Sequence, residues 1–425
     1  MTGRLRRAVA RLRWDLLAIV IVAFAVRLGY RLAQGEAAFL TDGYTFYRHL
    51  AESFLRGDGF CFGVGVDCAV RVPVYPLVVS ALLPWDWLYP GLPIFQAALS
   101  AGRSLIVYGI ACTLFDRRVG LIAACLTAFN PYSIAHSTAL QDTALFNLLM
   151  GLAIYLLLRS REAPRGVPFQ LAAGVVLGLA TLTTVRLALF LPFALLWVAW
   201  PSGRGGPWRF RQAAMVSIPV VLLVGGWMVR NWSVVGAPVL TTESGLSLWT
   251  ANNPVTTEFL PERSVDEIYD AAHARLPEER KRVLASQGSE LAADRLLWQW
   301  AIEYIQANPG QTLIDMIRKV AWSFSGQLSP ARESIIQWGY AAYSVPLHVL
   351  ALIGWWLSRG NAKPVPHLLI CFLFAAFAIT TAVFWAHTSH KSTLHMFLGV
   401  YAAFAITRWP AVPTPSASEA PHEAR

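Results

Sequence analysis

Two carboxylates and four basic side chains flank apolar segments at what we predict to be one edge of a membrane. They belong to Asp42, Asp142, Arg71, Arg186, Arg230 and Lys391. Cations normally avoid the outer edge of a membrane, so a set of them held there needs an anionic partner. A lipid-linked phosphate would be such a partner, and Asp42 could act beside it as a general base that deprotonates an attacking acceptor.

Each of these residues also has a purely structural interpretation. Asp42 could cap a helix over 43–56, and Asp142 could cap the helix that follows it or pair with an arginine. A single arginine at an interface often extends to lipid headgroups, which would explain any one of the arginines taken alone. These alternatives stay open for the individual residues, but four cations on one face favour a shared anion.

Histidines surround Lys391 in the segment HTSHKSTLH, at positions 387, 390 and 395. A His-x2-His pair can bind a metal, but the pattern specifies neither a third ligand nor a geometry. We therefore predict histidine beside the phosphate and no defined metal site. A divalent cation is kept as a candidate cofactor.

The composition is typical of an integral membrane protein. Of the 425 residues, 56% are hydrophobic and 14% are charged, and the mean hydropathy is +0.47. The 17 Trp and 13 Tyr residues suit the aromatic belts of membrane interfaces. The net charge of +10 indicates attraction to anionic lipids and not to nucleic acid, because the arginines are scattered through short loops and not gathered on one soluble face.

A transmembrane helix needs about 20 apolar residues, and hydropathy predicts about ten spans. They cover 14–33, 92–115, 119–136, 142–159, 170–184, 187–200, 213–229, 337–357, 364–386 and 393–409. The segment 73–84 is too short to cross and is predicted to be an interfacial helix. The pair 170–184 and 187–200 is either an interrupted helix at a binding site or a plain hairpin, and its GVVLG motif could pack closely against a neighbour.

Basic loops set the predicted topology. With the basic N-terminus (1–13) in the cytoplasm, every short inner loop is basic, through Arg117, Arg118, Arg159, Arg161, Arg165, Arg204, Arg209, Arg211, Arg359 and Lys363. A full span at 73–84 would invert the later loops and place these clusters outside, which argues against it. The loop 34–91 and the insert 230–336 then lie on the outer side.

The predicted domains follow from this topology. They are an N-terminal membrane module (14–229), a cap (230–336), a C-terminal group of spans (337–409) and a disordered cytoplasmic tail (410–425). Within the cap, 262–307 has a helical, charged pattern. The segment 315–324 is amphipathic and is predicted to lie along the membrane interface.

Cys61 and Cys68 flank a Gly-rich loop on the predicted outer side. An oxidising compartment would let them form a disulfide, but spacing alone leaves the geometry open, so bridged and free thiols remain alternatives. The chain contains no P-loop, no dinucleotide-binding GxGxxG after a strand and no GxSxG motif. An enzyme would therefore need a donor that is already activated in the membrane.

Five segments, in order along the chain, resemble the GT-C glycosyltransferases, in particular the bacterial protein O-mannosyltransferase-like and aminoarabinose-transferase-like group. They are TDGYTFYRHLAESFLRGDGF, RVPVYPLVVSALL, LFDRRVGLIAACLTAFNPYSIAHSTALQDTALF, GLATLTTVRLALFLP and GGWMVRNWSVVGAPVLTTESGLSLWTANNP. The last segment is the most specific match. Two features depart from the family pattern: HTSHKSTLH replaces an Arg-Tyr pair, and the turn Thr-Val-Arg offsets Arg186 by one residue.

The resemblance implies an all-α bundle of about ten transmembrane helices with outer interfacial helices and a small periplasmic cap. It also implies inverting transfer of a sugar from a polyprenyl phosphate to an envelope glycan, lipid or protein, on the periplasmic face of a bacterial inner membrane. Asp42 and Asp142 would be the catalytic carboxylates. The donor phosphate would meet Arg71, Arg186, Arg230, Lys391 and His390, and the substrates would contact Tyr44, Tyr47, Tyr75 and Asn252.

Two rival classes share part of this pattern. A transporter or flippase for a lipid-linked saccharide would also gather cations near a phosphate, and a non-catalytic scaffold subunit could keep the fold. Transporters usually have duplicated halves and polar residues in mid-membrane, and neither feature is apparent in the sequence. Replacement of Asp42 separates the classes, because only an enzyme should lose its activity.

Overall fold

The structure is a computed structural model that describes residues 3–63, 65–162, 166–201, 206–360 and 364–408, with side chains from Trp14 onward. Several predictions concern positions outside these residues: those for Arg165, Arg204, Lys363, the side chains of 1–13 and the disordered tail 410–425. The described chain is helical, and its only extended pairing is an isolated bridge between Gly63 and Val66.

Within the described ranges the chain forms 20 α-helices. They are α1 (Gly3–Thr41), α2 (Phe46–Arg56), α3 (Val74–Leu82), α4 (Gly91–Leu114), α5 (Arg117–Ala128), α6 (Pro131–His136), α7 (Thr143–Glu162), α8 (Val167–Thr181), α9 (Phe190–Ala199), α10 (Phe210–Val235), α11 (Ser244–Ala251), α12 (Thr256–Phe259), α13 (Val265–Ala274), α14 (Glu278–Ala285), α15 (Glu290–Ala307), α16 (Pro309–Phe324), α17 (Ser334–Ser358), α18 (Pro364–Val383), α19 (Thr388–Ser392) and α20 (His395–Arg408). Short 3-10 helices lie at Leu83–Trp85 and Val185–Leu187.

Six of the described helices are long and apolar enough to cross a membrane. They are α1 from Trp14, α4, α7, α10, α17 and α18. Every predicted span overlaps one of these helices or one of the shorter helices α5, α8, α9 and α20. The prediction of an all-α polytopic membrane protein is therefore confirmed.

The predicted span 119–136 is broken into two helices, α5 and α6. Pro131 has no N–H to continue α5, and the Asn130 side chain instead accepts the Ser133 N–H at 2.9 Å and caps α6. The break exposes the last carbonyls of α5, which are oxygens of Thr127 and Ala128. The buried guanidinium of Arg27 from α1 donates to both, at 3.3 and 2.7 Å.

The first helix also differs from its prediction. It continues beyond residue 33 to Thr41 and kinks at Gly35, where φ is 78°. A residue without a Cβ adopts this backbone conformation at little cost. The extension carries Asp42 away from the predicted end of the span to the loop between α1 and α2.

Close helix packing explains the GVVLG motif. A Cβ on Gly174 would lie 2.3 Å from the Val216 carbonyl oxygen of α10, and one on Gly178 would lie 2.8 Å from the Leu223 side chain. The prediction that GVVLG packs closely against a neighbouring helix is therefore confirmed. At the centre of the bundle, α20 is buried along most of its length and packs on α17 and α5.

The cap comprises α11 to α16, and α16 has its apolar side outward. Leu313 and Ile317 are 60% and 61% exposed, whereas Asp315 and Lys319 face inward and are buried. Nζ of Lys319 donates to the Ala251 carbonyl at 3.2 Å and so fastens α16 to the end of α11. An outward apolar face is expected of a helix at a membrane interface, which remains the prediction for this segment.

Candidate functional site

The carboxylate of Asp142 lies at the centre of the candidate site. It stands just before α7 and is 8% exposed. The hydroxyl of Tyr47 from α2 hydrogen-bonds to it. Burial raises the pKa of Asp142, and the positive charges of Arg186 and Arg71 oppose that rise without cancelling it. The charges of two predicted phosphate ligands therefore act on a predicted catalytic acid.

Arg71 approaches this acid from the loop before α3. Its guanidinium forms an ion pair with Glu243 and lies over the Phe46 ring, 4.4 Å from the ring centroid. Burial raises the pKa of Glu243, and the charge of Arg71 opposes that rise. Sequence reasoning missed Glu243, although it lies within the most specific family-like segment, because nothing in its spacing indicates a partner more than a hundred residues away.

The backbone just before Arg71 is held by a carboxylate of the cap. Glu290, the first residue of α15, accepts the N–H groups of Cys68 at 2.8 Å and of Ala69 at 3.2 Å, and the Thr242 hydroxyl at 2.5 Å. A carboxylate that accepts several donors restricts all of them to one geometry. Glu290 was not identified from the sequence.

A disulfide and Arg230 also hold this backbone. The sulfurs of Cys61 and Cys68 are bonded, which selects the bridged alternative. Arg230 donates to the Cys68 carbonyl at 2.6 Å and to the Asn231 side chain at 2.9 Å. The Arg230 guanidinium therefore supports the loop that carries Arg71. The prediction from the sequence was instead that Arg230 contacts the donor phosphate directly.

Asp42 is paired with a buried arginine of the first helix. Nη1 of Arg31 lies 3.1 Å from Asp42, whose side chain is 35% exposed, and Nη2 of Arg31 donates to the Ala135 carbonyl at 3.0 Å. The N-terminal cap position of α2 is Thr45, so the alternative in which Asp42 caps that helix is wrong. Arg31 was missed, although an arginine near the end of an apolar span is itself a signal of function.

The loop between α1 and α2 packs directly on the segment that precedes Asp142. The Tyr44 N–H donates to the Leu140 carbonyl at 2.8 Å, and a Cβ on Gly43 would lie 2.6 Å from the Leu140 Cβ. Tyr44 is 39% exposed, yet burial still raises its pKa, with Asp142 the charge that adds most to the rise. Partial exposure with strong desolvation is expected of a residue that lines a cleft.

We predict that Gly43→Ala separates the two acids. The added methyl group would overlap both side-chain and backbone atoms of Leu140, and such overpacking costs about 1–3 kcal/mol. The loop must shift, so we expect turnover to fall by about tenfold or more, as measured with purified protein. Gly102→Ala in α4 is the matched control, because a Cβ there meets nothing within 4 Å. Equal activity of the two variants would contradict the prediction.

Arg186 enters the site from the 3-10 helix between α8 and α9. Its Nε donates to the Thr184 hydroxyl at 3.0 Å, and its guanidinium lies 5.6 Å from the centroid of Phe146. Nη1 is buried and has no hydrogen-bond partner in the described part of the chain. An unpartnered buried donor beside a carboxylate is suited to receive an anionic ligand.

Three other predicted site residues have defined structural contacts. Nζ of Lys391 donates to the Gln327 carbonyl at 2.6 Å and to the carbonyls of Trp322 and Ser325 at the end of α16, and burial lowers its pKa to about 7. The Asn252 side chain donates to the carbonyl oxygens of Leu248 and Val383, at 2.8 and 2.9 Å, and so connects α11 to α18.

Tyr75 lies against Tyr47, with ring centroids 4.6 Å apart, so it supports the tyrosine that binds Asp142.

The site does not suit a divalent cation. No group of three or more His, Cys, Asp and Glu side chains that could hold a metal occurs in the described ranges. Asp142 and Glu243 are each accompanied by a guanidinium, whereas Mg²⁺ and Ca²⁺ prefer several free oxygen ligands. We therefore derive no chemical step through a metal.

Known structures identify the architecture. The crystal structure of the apo oligosaccharyltransferase of Archaeoglobus fulgidus superimposes with a TM-score of 0.56 at 12% sequence identity, over 92% of this chain and 50% of that one. The fold is of the GT-C type. The family model for dolichyl-phosphate-mannose-protein mannosyltransferase matches residues 91–227, which include Asp142 and Arg186. The GT-C resemblance inferred from the motifs is thus confirmed.

Other comparisons mark the limits of the GT-C match. The chain spans about half the length of the archaeal enzyme. ArnT from Cupriavidus metallidurans, solved with bound undecaprenyl phosphate, is 15% identical and has a TM-score of 0.39, over 92% of this chain and 77% of that one. A search of curated protein sequences finds no match.

Proposed function

We propose that this protein is an inverting glycosyltransferase that moves a sugar from a polyprenyl phosphate to an envelope glycan, lipid or protein. The observation that carries the proposal is the buried carboxylate of Asp142, which the Tyr47 hydroxyl and the positive charges of Arg186 and Arg71 favour in its charged form. The GT-C fold and the matched mannosyltransferase family model support the same reaction class. Cations beside an acid suit a reaction in which a phosphate departs while an acceptor loses a proton.

In the proposed reaction Asp42 takes the proton of the acceptor hydroxyl or amine. The acceptor atom bonds to the anomeric carbon on the face opposite the phosphate, and the bond from that carbon to the phosphate oxygen breaks with inversion. The electron pair stays with the phosphate, which leaves as polyprenyl phosphate. Asp42 suits this role because its side chain is 35% exposed while Arg31 fixes its orientation.

The remaining groups bind and orient in the proposed site. Arg186 offers its unpartnered Nη1 to the leaving phosphate, and Arg71 offers a guanidinium that it shares with Glu243. Asp142 and Tyr47 orient the acceptor. We assign Arg230 and Lys391 to support, because their hydrogen bonds go to backbone carbonyls. A preorganised cation is worth about 3–4 kcal/mol in transition-state stabilisation.

We further propose that the site faces the periplasm of a bacterial inner membrane. The basic residues Arg117, Arg159 and Arg359 lie at the opposite ends of the helices from Asp142 and Arg186 in the predicted threading. Reporter fusions at Asp270 and Gly205 test this orientation. We expect an extracytoplasmic signal at Asp270 and a cytoplasmic signal at Gly205. The reverse pattern would rule out the proposed side.

A comparison of envelope glycans by mass spectrometry tests the function itself. A deletion strain should lack a glycan or show a lipid or protein that is short of one sugar, and wild-type protein should restore it. An Asp42→Asn protein, expressed to the same level, should not. Restoration by Asp42→Asn would instead favour a flippase or a scaffold, because neither requires a base.

A further inference from the structure

Two histidines of the segment between α18 and α20 lie within electrostatic range of Arg186. The rings of His387 and His390 have centroids 6.0 Å apart. Nδ1 of His387 accepts the Ser389 N–H at 3.1 Å, and Nδ1 of His390 lies 3.3 Å from the Trp385 carbonyl oxygen. Both rings are partly buried, and Arg186 is the charged group that acts most on each of them.

These contacts assign different tautomers to the two neutral rings. His387 uses Nδ1 as an acceptor, so its proton is on Nε2. His390 lies against a carbonyl through Nδ1, so that atom carries the proton and Nε2 is a free base. Neither Nε2 atom has a hydrogen-bond partner among the described residues. The site therefore presents one N–H donor and one open proton acceptor next to Arg186.

The surroundings keep both rings uncharged when the site is empty. Burial lowers the pKa of His387 to about 3, with Arg186 adding to the effect, and lowers that of His390 well below its usual value. The charged groups that act on His387 are all basic: Arg186, His136, Lys391 and Arg332. Arg186 and His387 lower the pKa of His390, and the hydrogen bond to the Trp385 carbonyl opposes that effect. A bound anion would offset this positive surrounding and favour protonation.

We propose that His390 takes up one proton at Nε2 when a polyprenyl phosphate monoester lies beside Arg186 and the Nε2–H of His387. This inference rests on the proposed function. It assigns to His390 the ability to distinguish the product, a phosphate monoester, from the donor, a phosphate diester. The donor is a phosphodiester with one negative charge. Cleavage of its sugar bond leaves a monoester with two negative charges, and water supplies the proton that His390 gains.

Calorimetry with farnesyl phosphate, a short prenyl monoester, tests the proposal on the full chain in detergent. A phosphate monoester has its second pKa near 6, so the ligand is a dianion throughout pH 7–9. Titrations in buffers with different ionisation enthalpies should give an uptake approaching one proton per ligand near pH 7. Where the uptake is close to one proton, the affinity should fall by about tenfold per pH unit, and it should level off at higher pH once the complex itself has lost the proton. Farnesyl methyl phosphate, a diester, should bind with almost no proton uptake.

Variants assign the proton to one residue. His390→Gln should bind farnesyl phosphate without proton uptake and without the pH slope. His387→Gln should bind more weakly but keep the uptake. Lys391→Gln is the essential comparison, since burial lowers the pKa of Lys391 to about 7 and it could titrate in the same range. Uptake that persists in His390→Gln and disappears in Lys391→Gln would overturn the proposal.

The outcomes for wild-type protein separate this proposal from the proposed function. If it binds farnesyl phosphate without proton uptake, the role of His390 is wrong and the glycosyltransferase proposal stands. If it binds neither the monoester nor the diester at millimolar concentration, the phosphate site is itself wrong. Retained ligand binding shows that a variant is folded, so a loss of proton uptake in His390→Gln is not a consequence of unfolding.

Discussion

Asp42→Asn is expected to abolish sugar transfer while leaving expression and donor binding intact. The amide has nearly the same shape as the carboxylate and can still accept a hydrogen bond from Arg31, which lies at 3.1 Å in the native protein. It cannot accept the acceptor proton. Loss of a general base lowers turnover by about 100- to 10,000-fold, so we expect kcat to fall by this factor with the KM for the donor little changed.

The matched control is Asp58→Asn in the next loop, between α2 and α3. Asp58 pairs with Arg56 at 3.0 Å, and that pair has no contact with Asp142. An exposed ion pair of this kind contributes about 0–1 kcal/mol to stability, so the control should be fully active. Purified Asp42→Asn protein that transfers sugar at the wild-type rate would contradict the assignment of the base. Tight donor binding without transfer is the expected result.

Arg186→Ala should produce the second large effect. Nη1 of the guanidinium has no hydrogen-bond partner among the described residues, and the charge of Arg186 acts on Asp142. In the proposed reaction this guanidinium stabilises charge that grows on the leaving phosphate. Removal of one such preorganised group lowers kcat by about 100- to 1,000-fold. Within the described ranges its one side-chain hydrogen bond runs to the neighbouring Thr184, so stability should change little. Turnover and thermal unfolding of the purified variant check both expectations.

Two further variants sharpen the interpretation of Arg186. Arg186→Lys keeps the positive charge but loses the planar guanidinium that can donate two hydrogen bonds to one phosphate. Its activity should therefore lie between those of Arg186→Ala and wild-type protein. Arg48→Ala is the control, because Arg48 is an exposed arginine of α2 paired with Glu52 at 2.7 Å. An Arg186→Ala protein with unchanged kcat and unchanged KM would place the leaving phosphate elsewhere. A changed KM with unchanged kcat would restrict Arg186 to ground-state binding of the donor.

The structure also explains why the loop before α3 carries so many fixed contacts. Residues 68–70 are held by Glu290, by Arg230 and by the cap residues 241–242, and a disulfide closes the loop. These contacts determine where Arg71 stands before any ligand arrives. A binding group that is held in place in advance loses little conformational freedom when the ligand binds.

Hydropathy and small-residue patterns predicted the bundle because membrane helices satisfy their own backbone hydrogen bonds. Every predicted span has a helix, and the glycines of GVVLG do meet α10. The break of 119–136 at Pro131 was also visible in principle, since proline cannot donate the required N–H. The composition and the ordered motifs similarly indicated the GT-C fold and a set of outer-edge acids and cations.

Only the tertiary structure decided which charges meet. Sequence spacing made Arg71, Arg186, Arg230 and Lys391 look equivalent, but the charges of the first two act on Asp142 and the other two donate to backbone carbonyls. Asp42 looked solitary, and Arg71 had no visible partner until Glu243 came beside it. The physical reason is that a buried cation binds whichever oxygens the packed helices bring within about 3 Å. Local sequence determines where a helix begins and ends, whereas packing of distant segments determines those oxygens.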